Sequence, residues 1–343
     1  KRIVVAAMSA IAACAVGLAA VSGGQGPVWL MYLLLFGIGV ARAFQSPAFS
    51  ALTAQAVPPA HFASAATWSS GAWQSASILG PALGGFLVAI WGGAAAVYAV
   101  AGGLLVIVAV LLALMRSQPI ERTTEPVNLN TLLAGARFIS HTPVILAAIT
   151  LDMFAVLLGG ATALLPAFAR DILDVGPVGL GWLRAAPAAG AIAAALIIAL
   201  RPPFRYAGRT LLLVVAGFGL ATIAFGLSRS FFFSLAMLAL LGGLDNVSVV
   251  IRSTLLLTRT PDAVRGRVNS VHSVFVGISN ELGAFESGLA AALLTTVGAV
   301  VAGGIGTLLV VAAIAFHWPQ LRRLGRLDAV PVAHDLDAPP EVP

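Results

Sequence analysis

The run Ala94-Ala95-Ala96-Val97-Tyr98-Ala99-Val100-Ala101-Gly102-Gly103-Leu104-Leu105-Val106-Ile107-Val108-Ala109-Val110-Leu111-Leu112-Ala113-Leu114-Met115 carries no charge, and its one polar side-chain group is the Tyr98 hydroxyl. Roughly 20 such residues, wound as a helix, cross the hydrocarbon of a bilayer. Runs of this kind recur along the chain, near 3–22, 28–47, 67–90, 94–115, 143–168, 178–200, 210–228, 231–251, 268–292 and 298–317. Their connectors are short and rich in Gly and Pro, as at Gly23-Gly24-Gln25-Gly26-Pro27 and Arg201-Pro202-Pro203. Within lipid every backbone polar group needs an internal partner, and the alternation of a barrel strand is absent here. The predicted fold is therefore all-α: a polytopic membrane bundle of about ten transmembrane helices.

Composition excludes several classes of function. Of 343 residues, 59% are apolar and 9% charged, against roughly 25% charged in a soluble domain. So few charges cannot clothe a soluble enzyme or a nucleic-acid module, whatever the net charge of +6, and no nucleic-acid partner is expected. Cys14 is the only cysteine, which removes disulfides, Cys-based zinc and iron–sulfur sites. Lys1 is the only lysine, which removes a phosphate-binding loop ending in Gly-Lys-Ser/Thr. No His-Glu-x-x-His or paired catalytic aspartates occur at working spacing, and the five histidines (His61, His141, His272, His317, His334) lack ligand spacing. No enzyme, metal or cofactor is expected.

The basic residues set a topology. With the N-terminus on one side, that side receives Lys1, Arg2, Arg42, Arg116, Arg122, Arg137, Arg201, Arg205, Arg209, Arg252, Arg259, Arg265, Arg267, Arg322, Arg323 and Arg326, which is 16 of 19. The other side holds Arg170 and Arg229, and Arg184 falls within a span. By the positive-inside rule both termini are cytoplasmic, in a bacterial inner membrane. The expected organisation is a four-span bundle over 1–115, a central cytoplasmic loop over 116–142, a six-span bundle over 143–317 and a disordered tail over 318–343. Residues 48–66 read as a short polar stretch with room for a surface helix.

Sliding the chain by 203 positions pairs Leu52/Leu255, Pro58/Pro261, Ala60/Ala263, Ser70/Ser273, Leu79/Leu282, Gly80/Gly283 and Gly85/Gly288, with Arg42/Asp245 in the same register. Two related halves about a central loop are a common plan of secondary transporters.

Polar groups at membrane depth cost ~2.5–3.5 kcal/mol each on insertion scales. Asp152, Arg184, Asp245, Glu281 and Glu286 accept that cost, as do Arg42 and Arg252 nearer the ends, with Asn246, Asn280 and Gln74 as neutral companions. The choice lies between paired packing determinants and a hydrophilic path for a substrate or proton. Asp245, Ser248 and Arg252 share one helix face by i, i+3, i+7 spacing, and Arg252 is placed near enough to the cytoplasmic end to snorkel. Asp152 and Glu281, deep in their spans without sequence-local partners, are the leading proton-coupling candidates.

Several stretches resemble the major facilitator superfamily. Lys1-Arg2 resembles the end of its basic loop between helices two and three, and Arg205-Tyr206-Ala207-Gly208-Arg209 a degenerate second copy lacking the acid. Arg42-Ala43-Phe44-Gln45-Ser46 resembles the fourth-helix Arg-x-x-Gln-Gly motif with Ser in place of Gly. Gly80-Pro81-Ala82-Leu83-Gly84-Gly85 resembles the fifth-helix motif of antiporters. A narrower likeness is to the enterobactin-exporter-like, or transmembrane secretion effector, branch. It rests on Leu151-Asp152-Met153-Phe154, Leu164-Leu165-Pro166, Leu183-Arg184-Ala185-Ala186-Pro187, Asp245 to Arg252, Pro261 to Val268 and Ser279-Asn280-Glu281-Leu282-Gly283. This resemblance implies that the ten spans correspond to helices three to twelve of twelve. It further implies a kinked, closely packed helix at Gly80, Pro81, Gly84 and Gly85, and a cytoplasmic gate at Asp262, Arg265, Gly266 and Arg267. The expected function is proton-driven efflux of a small amphipathic compound, siderophore-like or drug-like, by a monomer using alternating access. Import or facilitated diffusion is the alternative within transport; a membrane sensor or an embedded enzyme is the alternative of another class.

Overall fold

The computed structural model describes residues 1–24, 26–56, 62–115, 129–159, 161–200 and 204–325, and among them every regular element is helical. In chain order the α-helices are α1 (Arg2–Gly23), α2 (Val28–Ala56), α3 (Phe62–Trp91), α4 (Ala94–Leu114), α5 (Leu129–His141), α6 (Pro143–Leu158), α7 (Leu165–Ala167), α8 (Gly176–Ala199), α9 (Ala207–Leu227), α10 (Phe231–Arg259), α11 (Asp262–Leu294), α12 (Thr296–His317) and α13 (Pro319–Arg322), with a 3-10 turn at Ala161–Leu164 and a π-helical turn at Phe168–Ile172 on either side of α7. A long helix stands at each of the ten apolar runs. Of the described segments, 8 are long and apolar enough to cross a membrane, and the apolar part of α3, Ser75–Trp91, is shorter. α11 is not among the eight; besides Arg265, Arg267, Glu281 and Glu286 it carries Asn269, Ser270, His272, Ser273, Ser279 and Asn280. The chain is a multi-pass membrane protein.

Two compact units emerge. The first takes Lys1–Thr124 with Gly176–Gly181, the second Glu125–Val175 with Trp182–Pro343. In the first, α1 packs against both α2 and α4. Val4, Met8, Leu52, Ala109 and Leu112 form the core of that contact. Trp29, Tyr32, Phe36, Leu79, Leu83 and Phe86 point outward from α2 and α3. An exposed apolar surface of that kind is at home in hydrocarbon, where burial in protein gives little advantage over lipid.

In the second unit α9 lies against α10 and α12, while α6 packs on α11 and α12. Ile145, Leu151, Leu211, Ile251, Leu255 and Val268 belong to its core. Lipid removes most of the hydrophobic drive for helix association, so close approach of small residues has to supply the packing. A Cβ on Gly219 of α9 would stand 3.0 Å from the Gly304 carbonyl oxygen of α12. α10 crosses α8 in the same manner, with Gly242 against the Pro187 carbonyl and Gly190 against the Ala239 carbonyl.

Two expected loops prove to be built. Within 116–142, Leu129–His141 is a helix rather than a connector. Ile139 is buried and Phe138 packs beside it in the core, and Gly135 lets α5 approach the Arg267 backbone, where a Cβ would stand 2.7 Å from the carbonyl oxygen. Nor is the tail free from 318 onward. Leu321 and Leu324 are buried against α9, and its first two amides are satisfied there: Ala207 N–H donates to Gly325 O and Gly208 N–H to Leu324 O, each at 3.2 Å. The first amides of a helix have no intrahelical acceptor, which explains why this stretch of tail is held. In the polar stretch 48–66, α2 continues to Ala56 and α3 begins at Phe62.

Candidate functional site

Asp152 lies on α6 with its residue 7% exposed, and Arg252 on α10 is 4% exposed. Arg252 Nη1 and Asp152 Oδ2 form an ion pair. Arg252 Nε also donates to Ser248 Oγ at 3.2 Å and to the Ser248 carbonyl at 3.3 Å. A buried ion pair survives desolvation only if its remaining hydrogen-bonding capacity is used, and one turn of α10 supplies that acceptor. Arg252 therefore does not snorkel. It turns inward because α6 brings a carboxylate within reach, which no spacing along α10 reveals.

Asp245 lies on the same face of α10, seven residues before Arg252, but its side chain is open where Asp152 is enclosed. Among the described residues its carboxylate accepts no hydrogen bond and closes no ion pair. It borders a cavity of about 240 Å³ together with Val156, Thr162, Pro187, Phe218 and Asn280. A second gap of about 20 Å³ is bordered by Asp152, Asp245 and Ser248. The close α8–α10 crossing at Pro187 and Gly242 forms one wall. Asn280 of α11 donates its Nδ2 to Val276 O at 2.8 Å, an interaction within its own helix. His272, also on α11, has a buried Nε2 that meets no partner among the described residues. The guanidinium of Arg252 is within electrostatic reach of its ring.

The expected path residues thus separate. Asp152, Asp245 and Asn280 gather around these two spaces with Ser248 and Phe218, and Arg252 joins them through its ion pair with Asp152. Glu281 is exposed on α11 and Arg184 exposed on α8, and neither closes an ion pair among the described residues. Arg42 is exposed on α2 of the first unit. Asn246 keeps a buried Oδ1 with no donor among the described residues. The side chain of Gln74 lies outside the described residues, as does that of Asp262.

The remaining expected motifs have local roles. Arg265 Nη2 donates to Leu257 O and Thr260 O, both at 3.3 Å, which ties the end of α10 to the start of α11. Arg267 offers its backbone to α5, while a Cβ on Gly266 would meet open space. In the first unit a Cβ on Gly80 or Gly84 would likewise meet nothing. Gly85 is the close-packed member: a Cβ there would strike the Pro177 carbonyl and stand 3.0 Å from Gly181 Cα. Gly181 reciprocates, 2.7 Å from the Pro81 carbonyl by the same construction.

The family model described as transmembrane secretion effector matches residues 1–342. Enterobactin exporter EntS of Escherichia coli O1:K1 is 30% identical over 247 residues, and the Shigella boydii serotype 18 and Escherichia fergusonii exporters match to the same degree. The match takes in 72% of this chain and 59% of each exporter, so it spans about three-fifths of those relatives' length. Among solved structures, a bacterial homologue of the human lysosomal transporter Spinster, inward-facing and occupied, superposes with a TM-score of 0.70 over 93% of this chain and 82% of its own. Its unoccupied form gives 0.69, with 93% and 83% covered. Sequence identity to both is 16%, so this likeness is one of fold.

Proposed function

The chain belongs to the transmembrane secretion effector family of the major facilitator superfamily, and from that premise we propose that it is the helical body of a proton-coupled exporter of a small amphipathic compound. Its place is the bacterial inner membrane, with both termini cytoplasmic and a single copy as the working unit. The observation carrying the reading is the buried Asp152–Arg252 pair beside the open carboxylate of Asp245. The enterobactin-exporter relatives favour export over import.

The mechanism follows from counting charge. Asp152, Asp245 and Arg252 together carry one uncompensated negative charge when both acids are ionised. Charge without a partner is expensive in a membrane. A proton on Asp245 removes the excess and lowers the cost of a conformation in which this face closes. Loss of the proton favours the open one, so proton binding shifts an existing equilibrium rather than driving a new shape. Asp152 holds Arg252 inward, and Ser248 keeps the guanidinium oriented while the neighbouring carboxylate changes state. The glycine contact at Gly85 and the kink allowed by Pro81 keep α3 close-packed, a role suited to limiting leak through an exporter.

The test uses the full-length protein in proteoliposomes under an imposed pH gradient, with a catecholate siderophore and an amphiphilic amine offered in turn. Proton flux that depends on either compound is the expected result. Binding without flux would assign the protein to sensing, and flux unaffected by the gradient would assign it to facilitated diffusion.

A further inference from the structure

The face of α10 that turns away from Asp245 borders a larger space. Leu240, Gly243, Leu244 and Val247 share that face by i, i+3, i+4, i+7 spacing, and with α8 they enclose a groove of about 900 Å³. Small residues shape it. A Cβ on Gly190 of α8 would strike the Ala239 carbonyl of α10, so the two backbones touch at one end of the groove. At the other end lies the connector between α8 and α9, which contributes Phe204 and Arg205. Arg205 is the single charged or polar side chain among the described residues that line the space.

We propose that this groove seats an acyl tail of an anionic phospholipid, with the lipid phosphate on the Arg205 guanidinium. The site is separate from the acidic cavity and does not depend on what the protein transports. Depth is the first support. From Gly190 to Ile198 α8 rises about 12 Å at ~1.5 Å per residue, and half of a ~30 Å hydrocarbon core is about 15 Å. The groove thus has the depth of one leaflet, with its floor at the Gly190–Ala239 contact and its mouth where α8 ends. Charge is the second support. Arg205 is exposed and closes no ion pair among the described residues, and no acid lines the groove. Phe204 packs against the core of the second unit, which holds the connector and keeps its neighbour at the rim. Arg209, in the first turn of α9, lies 5.6 Å from the centroid of the Tyr206 ring and adds a second cation to this end of the helices.

The chemistry of the occupant follows. A guanidinium pairs two of its N–H donors with the oxygens of one phosphate. A zwitterionic head would bring its own ammonium beside the two arginines, so a head with net negative charge fits better. A free phosphate would satisfy Arg205 and leave the apolar wall uncovered, whereas a lipid meets both. Under the proposed topology the mouth opens at the cytoplasmic surface, where basic pockets between spans meet anionic headgroups.

Native mass spectrometry of the full-length protein, titrated with dioleoyl phosphatidylglycerol and dioleoyl phosphatidylcholine, tests this. Phosphatidylglycerol is expected to be retained about five-fold more strongly, the equivalent of the ~1 kcal/mol that one arginine contributes beside an anionic surface. Arg205→Gln is expected to remove that preference, while Arg205→Lys keeps most of it and Arg322→Gln leaves it unchanged. Phosphatidylglycerol with a photoactivatable tail is expected to cross-link to Ile197, Leu240 or Leu244, and sn-glycerol 3-phosphate at equal concentration is expected not to displace it. The proposal is overturned by equal retention of the two lipids, by a preference that survives Arg205→Gln or falls equally with Arg322→Gln, or by cross-links confined to other helices. Displacement by glycerol phosphate would reduce the site to a phosphate contact, and a dimer that lipid dissociates would give the groove to a second copy; either result also overturns it.

Discussion

A carboxylate and a guanidinium each prefer water, so the enclosure of Asp152 and Arg252 depends on their mutual contact and on the Ser248 acceptors. Removing one partner strands the other. Buried pairs in soluble proteins lose about 3–5 kcal/mol on such a change. Arg252→Gln is expected to lower stability by an amount of that order in a detergent unfolding titration. The double change Asp152→Asn with Arg252→Gln is expected to recover most of the loss, because neither side chain then carries charge. A double variant as unstable as Arg252→Gln alone would mean that the contact is incidental. The sequence made Asp152 and Asp245 visible because a charge within an apolar run demands an explanation. It could not show that Arg252 points inward, since a residue near the end of a span can reach water as readily as a partner on another helix. Glu281 had the same sequence signal as Asp152, yet it is exposed on α11: depth in a span does not say which face of the helix a residue occupies.

At the level of single helices, close approach decides which glycines matter. Gly85 packs against Pro177 and Gly181, whereas Gly80 faces open space. Gly85→Val is expected to reduce folded yield sharply. Gly80→Ala is expected to stay within about 0.5 kcal/mol of the parent or gain slightly from helix propensity. Size-exclusion profiles of the two variants check this, and equal damage from both would contradict it. The antiporter-like stretch was recognisable as a unit, but the separation of its glycines into close-packed and open members depends on the chain crossing it, and Gly181 had no motif to mark it. The amphipathic helix α5 and the tail contact carried fainter signals. α5 has 13 residues, too few for a span, and its apolar positions had to be read at a period of 3.6 instead of by length. Leu321 and Leu324 are two apolar residues three apart in a polar tail. Leu321→Asp with Leu324→Asp is expected to free the tail and the first turn of α9, seen as faster amide exchange at Ala207 and Gly208. Unchanged protection there would show that the buried contact does not hold the helix start.

Across the molecule, the all-helical architecture was readable because the bilayer leaves the backbone few alternatives, and a helix stands at each recurring apolar run. The expectation of two bundles came from the polar stretch 116–142 between the spans, and the repeat of 203 positions added little to it, since Ala- and Leu-rich sequences agree by composition alone. The topology rests on where the arginines sit. Cysteines introduced at Arg322 and Arg229 in a Cys14→Ala background are expected to differ in whole cells: position 229 reacts with a membrane-impermeant maleimide and position 322 does not. The opposite pattern would invert the topology. The central claim is that one shared excess charge at Asp152, Asp245 and Arg252 couples protons to cargo. It is tested most directly by comparing two kinds of flux in proteoliposomes of the full-length protein carrying Asp245→Asn. Uphill, gradient-driven transport should fall to background while exchange of substrate across the membrane without a gradient persists; undiminished uphill transport would contradict the account.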